Sequence, residues 1–85
     1  MVDLVARKKT HGDFTDHARI TQRLKEAVEH ERERLLPIHK EAIDMILHKI
    51  GRICAGDPNV HDHWDDIAGY ARITSQRLPA KQAAE

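Results

Sequence analysis

His61-Asp62-His63-Trp64-Asp65-Asp66-Ile67-Ala68-Gly69-Tyr70-Ala71-Arg72 is the stretch whose reading decides the fold. Val60, Trp64, Ile67, Ala68, Ala71, Ser75 and Leu78 recur at steps of three and four, the apolar stripe of a helix. Asn59 is a candidate N-cap and Pro79 a stop, so the spacing predicts a helix over 60–78. Trp64 sits in the stripe and is expected in the core. Asp62, Asp66, Gly69 and Ile73 recur at the same steps on nearly the opposite side. A solvent-facing surface has no need of a Gly and an Ile beside two stacked carboxylates, so this side is expected to meet protein or ligand.

Working back, Gly56 and Pro58 end the preceding element. Pro37 suits the first turn of a helix. Between them Ala42, Ile43, Ile46, Leu47, Ile50, Ile53 and Cys54 make the broadest apolar face in the chain, so a helix over 37–55 should be the most buried one. Gly51 lies on its polar side, where a mid-helix Gly costs up to about 1 kcal/mol relative to Ala; close approach of a backbone or ligand would explain it. Earlier still, Gly12 breaks the chain and Asp13 caps a helix over 13–34. Phe14, Ala18, Thr21, Leu24, Val28 and Leu35 share one face of it, with His17 at the edge. Leu4, Val5 and Arg7-Lys8-Lys9 fit a short helix ending near Thr10, and 79–85 reads as a loose tail.

The predicted fold is therefore all-α: an up-down-up bundle of three helices with a short N-terminal one, in a single domain over 1–85. The apolar stripes of the first and last main helices are expected to cover the broad face of the middle one. Hydrophobic residues are only 40% of the chain and charged ones 33%. So thin a core, with Gly69 and Ile73 on a second face, favours a homodimer. Fourteen basic residues balance fourteen acidic ones, so nothing drives the chain electrostatically toward nucleic acid or an anionic membrane. No apolar run approaches the roughly 18 residues of a membrane span, and no signal-peptide core is present. A lone Cys54 forms no internal disulfide, and a reducing cytoplasm is the expected compartment.

Thr10-His11-Gly12-Asp13-Phe14, then Glu41-Ala42-Ile43-Asp44-Met45-Ile46 with Lys49-Ile50-Gly51-Arg52-Ile53, then Asp62-His63-Trp64-Asp65-Asp66-Ile67-Ala68-Gly69-Tyr70-Ala71, resemble a family of small phage and prophage proteins of unknown function. The resemblance covers roughly residues 5–78 and implies a phage or prophage origin in a bacterium, without implying a chemistry. A looser likeness links the last helix to phage proteins associated with nucleotide modification. His17 departs from the Asn expected in relatives.

Several constellations could carry chemistry. Glu41 with Asp44, and Asp62 with Asp66, each share a helix face. If those faces meet, four carboxylates converge as a candidate Mg²⁺ site. This is similar in part to the all-α nucleotide pyrophosphatases, although the acidic spacings differ. Solvation, capping by Asp62 and ion pairing are the plainer account. Lys49 and Arg52, with Tyr70, are candidates to bind a phosphorylated ligand; an Asp66–Arg52 salt bridge would explain the same residues without one. His61 and His63, with His48 or His11, have no metal-ligand spacing, because residues two apart do not share a helix face. Cys54 falls on the apolar face and is expected to be buried and inert.

Two functions follow. One is a small accessory protein binding a nucleotide or phosphorylated ligand, with Mg²⁺ as its candidate cofactor, between the last two helices. The other is a non-catalytic helical module that docks on a host or phage protein.

Overall fold

The computed structural model describes residues 4–80, with side chains from Lys8 onward. These residues form four helices: α1 Leu4–His11, α2 Phe14–Glu29, α3 Pro37–Ala55 and α4 His61–Ser75. The all-helical class and the short N-terminal helix agree with expectation. Beyond Ala80 the expected tail lies outside the described residues.

The helix ends follow local chemistry. Asp13 caps α2, its carboxylate accepting from the Thr15 and Asp16 amides at 2.9 and 3.4 Å. The helix expected to reach 34 stops at Glu29. Residues 29–34 are good helix formers but offer no apolar face to bury. Arg32 instead turns back to Asp44 of α3, donating to both carboxylate oxygens at 2.9 and 3.2 Å. Pro37 opens α3 as predicted, and the His39 imidazole Nδ1 accepts from the Leu36 amide at 2.9 Å. Past the end of α4, Arg77 donates to the Ile73 carbonyl at 3.0 Å, satisfying an orphan acceptor of the last turn.

α3 packs against both α2 and α4, which do not contact each other. The bundle expected to close over the broad face of α3 is thus not completed within one chain. No described hydrophobic residue is buried. The buried residues are His17, Thr21, Lys49, Gly51 and His63, a centre made of polar groups and one glycine. The molecule is correspondingly long, 50 × 27 × 23 Å with a radius of gyration of 15.1 Å, where a compact chain of this length has about 12 Å.

Three expectations about burial are corrected. Trp64 is 54% exposed, and its indole N–H donates to the Pro58 carbonyl at 2.8 Å. Cys54 is exposed rather than buried. The side of α4 turned toward α3 centres on His63, Ile67, Tyr70 and Thr74, so the predicted stripe is rotated and Ala68, Ala71 and Ser75 face outward. The cause is polar: anchoring His63 and Asp66 on the rest of the fold turns the helix away from its apolar centre. Gly69 has nothing within 4 Å of where a Cβ would stand, so the second face is open at that position, while Asp66 of the same face is paired with Lys49 of α3.

Candidate functional site

The turn between α1 and α2 builds the site. Gly12 holds φ at +78°, and its amide closes α1 onto the Lys8 carbonyl at 2.9 Å. A side chain there would meet the left-handed backbone penalty and overlap the Ala55 backbone, so only glycine lets the turn lie against the end of α3. From α4, His63 Nε2–H donates to the Thr10 carbonyl at 2.9 Å, with its ring edge-on to His11 at 4.8 Å. One turn along α3, Gly51 admits α2: the Thr21 hydroxyl and the His17 ring occupy the space a Cβ would need. His17 Nε2–H donates to the His48 backbone carbonyl at 3.1 Å, and the two rings meet edge-on at 4.5 Å.

These contacts enclose a concavity of about 420 Å³ lined by Lys8, His11, Gly12, Asp13, Phe14, His17, His48 and Arg52. Among the described lining residues are two full cations, three imidazoles and one carboxylate. That carboxylate, Asp13, is turned to capping α2 and lies 3.9 Å from Lys8 across an exposed gap. Phe14 stands at the rim, 78% exposed. Its volume falls within the 300–1,000 Å³ usual for small-ligand pockets.

His48 is the electrostatic reporter of this site. Burial first, then the charges of Arg52, His17, Lys49 and Lys25, lower its pKa to about 4. It is therefore neutral in the folded chain at pH 7. Between its ordinary value near 6.5 and 4, the unfolded chain takes up a proton that the folded chain refuses, so stability falls with pH through that window. The expected loss from pH 7 to 4 is of order 1–2 kcal/mol after allowing for solvent screening. His48→Gln should flatten this part of the profile, measured by urea unfolding across pH.

The residues singled out from sequence divide. Arg52 lines the concavity. Lys49 does not: it is buried between α3 and α4 and donates to Asp66 at 2.7 Å. The expected Asp66–Arg52 bridge is thus replaced by Asp66–Lys49, because position 49 faces α4 while position 52 faces the α1–α2 turn. The Lys49 hydrogen bond and charge lower the Asp66 pKa, and this contribution is lost as acid protonates the carboxylate. Asp44 is taken by Arg32. Glu41 and Asp62 are exposed. Among the described residues no group of three or more His, Cys, Asp or Glu could hold a metal ion. The four carboxylates are thus not brought together within one chain. Tyr70 is half-buried on α4 and lines no part of the concavity. His63 and His17 spend their Nε2 atoms on backbone carbonyls, which orients the rings structurally.

Residues 3–78 match the model of a domain of unknown function, DUF6378, which spans all four helices. The chain belongs to the DUF6378 family. Neither a curated protein nor a solved structure matches it. The family span takes in the Gly12 turn, the Gly51 crossing and the His63 anchor, so the whole frame of the concavity lies inside the domain. No helix among the described residues is long and apolar enough to cross a membrane.

Lys8, Phe14 and His17 are not site candidates by sequence, and His11 and His48 enter only beside His61 and His63 as metal candidates. The available signal was the pairing of two glycines, Gly12 and Gly51, with nearby histidines; it marks close helix approach without saying which elements approach.

Proposed function

We propose that this DUF6378 domain binds a phosphorylated small molecule, with a nucleotide as the best-fitting class, in the basic concavity among α1, α2 and α3. The observation that carries this reading is the lining: Lys8, Arg52 and three imidazoles around about 420 Å³, with exposed Phe14 at the rim. Arg52 and Lys8 would meet the phosphates, and Phe14 would stack on a base. The site so assigned lies on the α2 side of α3 rather than between α3 and α4. Mg²⁺ would arrive on the phosphates, its usual mode, rather than in a carboxylate cage of one chain. A phage or prophage origin, and action in a bacterial cytoplasm as a homo-oligomer, complete the reading; the first rests on motif resemblance. Docking on a host or phage protein is the second reading, supported by the exposed Ile73 on the other side of α4.

Thermal unfolding tests the proposal with adenosine and guanosine mono- and triphosphates, pyrophosphate and inorganic phosphate, each with and without Mg²⁺. A ligand at 100 times its Kd stabilises by about 2.7 kcal/mol. Arg52→Gln should remove the shift while the chain remains folded. Absence of any shift with every compound would exclude the reading.

A further inference from the structure

α2 and α4 grip α3 from two sides and leave a strip of it only partly covered. Positions on α3 that meet α2 or the loop after it are Asp44, His48 and Gly51. On the other flank, Lys49 meets α4. Between these flanks run Ile43, Leu47, Ile50 and Cys54, at steps of four, three and four. That is the spacing of a seam whose side chains interlock with a facing helix. Ile43, Leu47 and Ile50 are half-buried and Cys54 is exposed. An apolar concavity of about 340 Å³ joins this strip to the outward stripe of α4 through Ile43, Ile46, Ala71 and Leu78. Trp64 and Ala68 continue that stripe, and Trp64 is half-exposed.

We propose that this α3–α4 face is covered by the same face of a second copy of the chain, in a two-fold dimer that completes the core. The total surface left exposed by the chain is compatible with it. The chain exposes 6804 Å², where a folded 9.8 kDa monomer exposes about 5,200 Å². The excess, about 1,600 Å² summed over the whole elongated chain, leaves room for the roughly 800 Å² per partner that a standard interface buries. The choice of a second copy over a foreign protein follows from the missing core. With no described hydrophobic side chain buried, the fold needs this cover whenever it exists, and only the chain itself is always present. An isologous contact must be self-complementary, which an apolar face meets without paired charges. Small Ala68 and Ala71 let the α4 stripes approach closely. His48 and Arg52 lie on the far side of α3, so the dimer leaves the basic concavity open and stands or falls independently of ligand binding.

Sedimentation equilibrium and acrylamide quenching of Trp64, the only tryptophan, test this on the unmodified chain. The expected result is twice the 9.8 kDa chain mass, a melting temperature that falls on dilution, and Trp64 shielded from quencher. Ala71→Glu, at an exposed position on the face, should shift the mass to monomer and open Trp64. Gly69→Ala, on the opposite side of α4 with nothing within 4 Å, should keep the dimer mass and raise the melting temperature. A monomer that melts cooperatively at a dilution-independent temperature would overturn the proposal. So would a loosely folded monomer with Trp64 fully quenched, which would assign the face to a different protein. A dimer in which Ala71→Glu changes neither mass nor quenching would place the contact elsewhere and overturn it too.

Discussion

Gly51→Ala should lower the unfolding free energy by about 2–3 kcal/mol, against the usual gain of about 1 kcal/mol for replacing a mid-helix glycine with alanine. The reason is the crossing of α2 over α3. A Cβ at position 51 would overlap the Thr21 hydroxyl and stand 2.7 Å from the His17 ring. Both neighbours are about 5% exposed, so neither can swing into solvent. His17 is further held by its bond to the His48 carbonyl. Relief therefore requires α2 to lift, which spoils the wall of the basic concavity as well as the packing. Thr21→Ala provides the control. The Thr21 hydroxyl is buried with no hydrogen-bond partner, so removing it loses little beyond its methyl. The double substitution should recover about 1 kcal/mol of the Gly51→Ala loss, a coupling expected of residues in contact. Urea unfolding of the four chains measures it. Additive effects would mean that the two residues do not touch.

His63→Ala is expected to cost about 3 kcal/mol or more, comparable to truncating a large core residue. His63 is 2% exposed and is the most enclosed side chain described. Its loss would open a cavity among α1, α3 and α4, and would leave the Thr10 carbonyl without its donor. Because Thr10 leads into the Gly12 turn, the start of α2 should loosen. Amide exchange should rise at Asp13 to His17 more than at Glu26 to Glu29. A loss below about 1 kcal/mol would show that His63 is not the link between α4 and the α1–α2 turn.

The two effects share an origin. This domain is centred on polar contacts that thread between helices, with Gly12 and Gly51 as points of closest approach. A hydrophobic pattern alone points elsewhere. It predicts that Trp64 and Cys54 are buried, whereas both are exposed. It also predicts a last helix packed through Trp64 and Ala68, whereas the helix is rotated toward His63 and Ile67.

By itself the sequence determined the helical class, the break at Gly12, the Asp13 cap, and both ends of the helix from Pro37 to Ala55. Each of these rests on interactions within a few residues: a side chain capping nearby amides, a proline without an amide to offer, a glycine free to take positive φ. It also singled out Arg52. Only the tertiary structure decided which charges pair. Lys49 and Arg52 are three residues apart and almost interchangeable as a sequence pattern. The rotation of α3 sends Lys49 to Asp66 and Arg52 to the basic concavity. Likewise, Asp44 could have met a metal with Glu41, but the chain after α2 folds back and brings Arg32 onto it. Partners 12 to 17 residues apart are chosen by the crossing of whole helices, and that crossing depends on where a missing Cβ lets two backbones approach.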